Sequence, residues 1–146
     1  PSPMPTPSAS QATPRRILVV DDDPAIRELI VRWLEPSGAD IEEARDGVEA
    51  LDRLATFQPE AMVLDLNMPG RDGFEVLQHM QENDAHERTP TMVLTARHTT
   101  RDVVRSFRLG ARDYLRKPFR EEQLLIRVSR LLRISAGGAP EGPWPS

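Results

Sequence analysis

Short apolar runs alternate with longer amphipathic stretches through the middle of the chain. Ile17-Leu18-Val19-Val20 is continuously apolar and rich in β-branched residues, the pattern of a strand buried on both faces. Ala61-Met62-Val63-Leu64 and Thr91-Met92-Val93-Leu94 repeat it. A weaker strand is expected near Ala39 to Ala44, and a fifth over Asp113 to Arg116. Between these runs the apolar spacing is helical. Ile26, Leu29, Ile30, Trp33 and Leu34 form one stripe, and Val48, Leu51, Leu54 and Ala55 a second. Phe74, Val76, Leu77 and Met80 form a third. Residues near Thr100 to Leu109 predict a fourth helix. Glu121 to Ile134 predict a fifth, with Leu124, Leu125, Val128, Leu131 and Leu132 on its buried side.

The punctuation agrees with these periods. Asp23-Pro24 suits the N-cap and first position of a helix, and Pro36 to Gly38 stops it. Asp46-Gly47-Val48-Glu49 has capping-box spacing, and Pro59 ends that segment. Pro69-Gly70 and Asp72-Gly73 are turn signals, and Gly110 suits the residue after a helix. Strands alternating with helices imply an α/β fold, a doubly wound parallel sheet with right-handed crossovers.

Length allows one core: 146 residues. Residues 1–14 hold Pro1, Pro3, Pro5, Pro7 and Pro14 and no charged side chain, and residues 135–146 are rich in Gly and Pro. Neither stretch offers enough apolar surface to offset its ordering entropy, so a folded domain is expected over 15–134 between disordered flanks. The net charge of −4 comes from mixed signs, with no basic stripe for direct nucleic-acid binding. The absence of cysteine excludes disulfides and thiolate metal sites. The apolar runs are far shorter than the ~20 residues that span a bilayer, and no leader pattern opens the chain. A cytoplasmic protein without membrane contact is the expectation.

In an open α/β sheet, ligands bind beyond the carboxyl ends of the strands. Asp21 and Asp22 follow the first strand, with Asp23 behind them; Asp65 follows the third. The fourth ends in Thr95, and the fifth runs into Lys117. Four loops therefore deliver three carboxylates, a hydroxyl and an ammonium to one edge. Three carboxylates packed together call for a cation or a raised pKa. Oxygen ligands with no His or Cys nearby favour Mg²⁺ over Zn²⁺. A carboxylate such as Asp65 can attack phosphorus, a metal can neutralise the converging charge, and Lys117 and Thr95 can hold phosphoryl oxygens. Mutual repulsion among the aspartates predicts that Asp21→Ala leaves metal-free stability unchanged or raised.

The segments ILVVDDDP, MVLDLNMPGRDG, VLTA and DYLRKPF, in this order and spacing, resemble the response-regulator receiver family of two-component signalling. The resemblance covers about residues 15–134 and implies a flavodoxin-like (βα)5 fold with a five-stranded parallel sheet. It implies that Asp22 binds Mg²⁺ directly and Asp21 mainly through water. Asp65 would be the phosphoacceptor and a metal ligand, and Asn67 would offer its backbone carbonyl to the metal. Thr95 would be the switch hydroxyl, Tyr114 the switch aromatic, Lys117 the family's lysine, and Lys117–Pro118 a cis peptide. The implied function is a signalling switch rather than an enzyme. It would take phosphate from a sensor histidine kinase or phosphotransfer protein and change its affinity for a downstream partner or output domain.

The competing reading is a small Mg²⁺-dependent phosphatase working through an aspartyl-phosphate, because Asp21 and Asp23 have D-x-D spacing. Pro24 directly after them, and the lack of room for a substrate cap, argue against it. A phosphorylation-independent binding module is a third reading, opposed by the complete set of site residues. Asp23, Asp46 and Asp72 also suit caps or turns, and His79, His86 and His98 have no ligand spacing and read as surface residues. Arg101, Arg105, Arg108 and Arg112 read as a solvated face, and Trp144 as a solvated tail residue. Asn67 and Arg97 occupy positions that tune phosphate lifetime in the family. After Ile134 no winged-helix, cyclase or kinase segment is read, which leaves a stand-alone receiver and one ending at a linker both open. In receivers of the OmpR/PhoB type, active subunits pair through several salt bridges. Asp113 and Arg127 match one pair, but Val103 opposite Gln123 and Arg108 opposite Ser129 match none. A monomer, or a weak dimer favoured by phosphorylation, is therefore expected.

Overall fold

A computed structural model describes residues 13–68, 72–96 and 99–137. The Pro69-Gly70 turn, Arg97, His98, Trp144 and most of both expected flanks lie outside the described residues. Five strands form one sheet: β1 (Arg16–Val20), β2 (Asp40–Ala44), β3 (Ala61–Asp65), β4 (Thr91–Thr95) and β5 (Asp113–Arg116). All neighbours are parallel, in the order β2-β1-β3-β4-β5. The helices are α1 (Pro24–Leu34), α2 (Gly47–Phe57), α3 (Gly73–Glu82), α4 (Ala85–Arg88), α5 (Thr100–Arg108) and α6 (Glu121–Ser135). This is the doubly wound, flavodoxin-like arrangement expected from the alternation of periods.

The continuously apolar strands are the central ones, because helices cover both faces. Leu18 and Val20 face one buried cluster with Leu64, Val76, Leu77 and Met80. Ile17 and Val19 face the other with Ile30, Leu34, Leu124, Val128 and Leu131. The weak β2 is an edge strand, where solvent on one side permits charge. Its Glu42 and Glu43 pair with Arg53 and Arg27, which also blunts the edge against strand addition.

Three side-chain caps behave as their spacing predicts. Asp23, Asp46 and Asp72 accept from the backbone N–H groups of Ala25, Glu49 and Glu75. The capping box at α2 is displaced by one residue: the Glu49 carboxylate accepts from the Arg45 N–H rather than from the cap residue itself. The buried face of α2 is displaced as well. Gly47 and Ala50 are buried with Leu51 and Leu54 beside them, while Val48 is 63% exposed and Ala55 is exposed. Leu29 of the first stripe is also exposed. Helix α4 has no counterpart in the sequence reading, since four residues are too few to show a helical period. Half-buried His86 lies on it, its ring beside Gly110, rather than on the open surface.

The close approach of α3 to the end of β3 depends on Gly73. Its N–H donates to the Leu66 carbonyl at 3.0 Å. A Cβ there would lie 2.7 Å from both the Asp65 carbonyl oxygen and Leu66 Cα, which are backbone atoms with little freedom to retreat. Gly73→Ala is therefore expected to push the Asp65–Leu66 backbone aside, at a cost of roughly 1–3 kcal/mol. Urea unfolding should show a lower midpoint with an unchanged slope.

Candidate functional site

The strand order reverses between β1 and β3, so the loops leaving their carboxyl ends diverge and open a crevice. Asp65 is the last residue of β3, and Asp21 follows β1 directly. Both are almost fully enclosed, at 3% and 0% exposure. Asp22 stands beside them on the solvent side. One carboxylate oxygen from each of the three lies within 4.8 Å of the others. Thr95, the last residue of β4, is 1% exposed. Lys117 is brought in after β5, where its N–H donates to the Thr95 carbonyl at 2.9 Å and its peptide bond to Pro118 is cis.

The Lys117 ammonium lies 3.0 Å from Asp21 Oδ2 and 3.6 Å from Asp65 Oδ1. It is the cation that the crowding of carboxylates requires, although among the described residues one positive charge faces three negative ones. The imbalance falls on Asp65. Burial, then the charge of Asp21, push its carboxyl up to about 7; Lys117 and the Asn67 N–H oppose this, and a hydrogen bond with the Asp22 side chain adds to it. The Asn67 backbone N–H donates to Asp65 Oδ1 at 3.2 Å, and its side-chain Nδ2 lies 3.5 Å from Thr95 Oγ1, the outer limit of a hydrogen bond. Tyr114 is half-buried and packs against the cluster that contains Leu64 and Val93.

The geometry therefore gathers Asp21, Asp22, Asp65, Asn67, Thr95 and Lys117 at one edge and sets Tyr114 beside it. It leaves out Asp23, which is exposed and caps α1. The carboxylate cluster suits a hard divalent cation, because three oxygen donors converge with less than their full counter-charge. Arg27 escaped the sequence reading. Its guanidinium donates to the Asp21 carbonyl and to Glu43. A cation in the opening turn of a helix, where the macrodipole disfavours it, was the available signal.

The structure also revises the expectation for Asp21. One of its oxygens accepts the Asp23 N–H at 2.9 Å, and the other pairs with Lys117. Asp21→Ala removes two charge-assisted hydrogen bonds from a buried carboxylate, more than the relief of repulsion returns. Metal-free stability is expected to fall, by about 1–3 kcal/mol in chemical denaturation. The raised pKa of Asp65 sets a pH dependence of unusual sign for a carboxylate. Between its unfolded value of 3.8 and its folded value of about 7, the native state holds more protons than the unfolded chain. Stability on this account is full below about pH 4 and is lost as pH rises through 7. In EDTA, the wild type should lose stability from pH 5 to 7 by up to about 1.4 kcal/mol per pH unit more than Asp65→Asn.

The family model described as "Response regulator receiver domain" matches residues 17–129. Response regulator MprA of Mycobacterium sp. (strain KMS) is 47% identical over 131 residues, 89% of this chain and 56% of that protein. Transcriptional regulatory protein TrcR of Mycobacterium tuberculosis is 41% identical over 127 residues, 87% of this chain and 49% of that protein. The chain thus spans about half the length of the curated relatives it matches. Among solved structures, the chemotaxis protein CheY4 of Vibrio cholerae superposes with a TM-score of 0.76 at 31% identity, over 82% of this chain and all of that one. Sequence match, strand order and the acidic edge agree, and the chain belongs to the response regulator receiver domain family.

Proposed function

We propose that this receiver domain accepts a phosphoryl group on Asp65 from the phosphohistidine of a sensor histidine kinase or phosphotransfer protein. The observation that carries the reading is a buried Asp65 carboxylate facing both an ammonium and two further carboxylates. Asp21, Asp22 and Asp65, with the Asn67 backbone carbonyl, would hold Mg²⁺, which when bound supplies charge neutralisation for the carboxylates and the phosphoryl oxygens. Asp65 must be ionised to attack, and Lys117 favours that state. An Asp65 oxygen bonds to phosphorus while the phosphorus–nitrogen bond breaks and its electron pair leaves with the imidazole. Lys117 then holds one phosphoryl oxygen, and the Thr95 hydroxyl donates to another. Drawing Thr95 inward would vacate space for Tyr114, so that phosphate at the edge changes the surface next to β5. Two states a few kcal/mol apart suffice for such a shift.

A phosphatase of D-x-D type would need its second aspartate in the crevice. Asp23 is instead occupied as the cap of α1, which favours the signalling reading. The output is proposed to lie in a partner or in a further domain, as the half-length match and the transcriptional role in TrcR's name suggest. This segment would not bind nucleic acid itself. Among the described residues no helix is long and apolar enough to cross a membrane, and a cytoplasmic location is proposed. Arg127 Nη1 contacts Asp113 Oδ1 at 2.6 Å within one chain, so the pair that could bridge two subunits is closed on itself. A monomer or weak phosphorylation-favoured dimer is the proposed state.

The test is incubation with acetyl phosphate or beryllofluoride, in Mg²⁺ or in EDTA. One phosphoryl group, or one beryllofluoride adduct, per chain is expected in Mg²⁺ only, and none in Asp65→Asn. Equal modification in EDTA, or modification that maps to Asp21, would refute the mechanism.

A further inference from the structure

Arg27 lies in the opening turn of α1, near the end where a helix dipole disfavours a cation. What it holds accounts for its place. Nη1 donates to the backbone carbonyl of Asp21 at 2.8 Å, and Nε donates to Glu43 Oε1 on the edge strand β2 at 2.9 Å. Its side chain is only 18% exposed, so water competes little for the bond to the Asp21 carbonyl, while the Glu43 carboxylate is open to solvent. The Asp21 carbonyl shares a rigid peptide plane with the Asp22 N–H. The preceding plane is also tied to β2, since the Asp21 N–H donates to the Ala44 carbonyl at 3.1 Å. Asp22 is the exposed member of the carboxylate group, so packing does not fix its side chain. Its Cα–Cβ direction is set by the backbone on which Arg27 pulls.

We propose that Arg27 is a positioning residue for the acidic pair. It straps the Asp21–Asp22 peptide to β2 and so keeps the Asp22 carboxylate aimed at Asp65. This deepens the divalent-cation reading above and rests on it. Its two bonds go to a carbonyl and to Glu43, and neither goes to a carboxylate of the cluster.

Positioning and simple charge predict opposite signs. As a mere nearby cation, Arg27 would repel Mg²⁺, and its removal would tighten binding. As a strap, its removal loosens a ligand, and lost outer-shell support of this kind typically weakens metal binding about 10- to 100-fold. The experiment is Mg²⁺ titration of the full chain, followed by calorimetry and by the amide resonance of Asp22, with no phosphodonor present. Arg27→Met is expected to bind Mg²⁺ about 10-fold more weakly than the wild type. Arg27→Lys keeps the charge but cannot bridge both acceptors, so its affinity should fall between the two; it also serves if Arg27→Met does not fold. Equal or tighter binding by folded Arg27→Met, or wild-type affinity in Arg27→Lys, would overturn the proposal. A wild type that binds no Mg²⁺ would instead remove the divalent-cation reading itself, and the proposal with it.

Discussion

The structure depends on one electrostatic constraint: two aspartates, Asp21 and Asp65, are buried at the carboxyl edge of the sheet, with a single ammonium between them. Isolated carboxylates in such surroundings would cost several kcal/mol each. Lys117 offsets part of this. The remainder appears as the raised pKa of Asp65, a group left short of counter-charge. A site in this condition has chemical consequences. It favours any added positive charge, and a phosphoryl group that arrives with a cation changes its electrostatics more than it would change a solvated surface.

Holding such a site requires backbone that cannot relax away. The strand ends provide this through ladder bonds that run past the regular sheet: Asp21 to Ala44, Leu66 to Leu94 and Lys117 to Thr95. The loops add their own restraints. The Asp23 N–H donates to the Asp21 carboxylate while the Asp23 side chain caps α1, so one turn both orients a buried aspartate and starts a helix. On the other side of the crevice, Gly73 lets α3 begin directly against Asp65 and Leu66. Small backbone errors at any of these points would be transmitted to carboxylates less than 5 Å apart.

The fold is legible because periodicity, capping residues and turn residues all point to the same arrangement. Ile17 to Val20, Ala61 to Leu64 and Met92 to Leu94 are apolar throughout, the pattern of a strand covered on both faces. Asp23, Asp46 and Asp72 marked three helix starts because N-capping is local chemistry. What was not legible depended on distant partners. The exposure of Val48 and Leu29 follows from how the helices rotate on the sheet, and helix α4 from a turn at Asp84, where φ is +62°. The gathering of Asp21, Asp65, Thr95 and Lys117 could be read from strand ends alone. The support of Asp21 by Lys117 and Asp23, and the strap from Arg27 to Glu43, needed three-dimensional geometry. From its neighbours in the sequence Asp21 is a source of strain; in three dimensions its carboxylate is also a structural acceptor.

The surface beside β5 follows from the same logic of charge. Arg105 lays its guanidinium over the Phe74 ring at 4.1 Å, and Gln81 donates to the Arg108 carbonyl at 3.0 Å. These contacts join α3, which starts against Asp65, to α5, which lies between Thr95 and β5 in the chain. The two helices that flank the site are thus linked to each other by a cation–π contact of ~1 kcal/mol and one exposed hydrogen bond. Links of this size would hold a resting arrangement without fixing it, as the switch proposed above requires. The same helix exposes Arg101, Arg105 and Arg108 next to Val104 and Phe107. A two-fold axis through this face would set arginine against arginine, while Arg127 already pairs with Asp113 Oδ1 inside the chain. Self-association there must overcome like-charge repulsion with little ion pairing in return, whereas a partner carrying acidic groups would meet complementary charge.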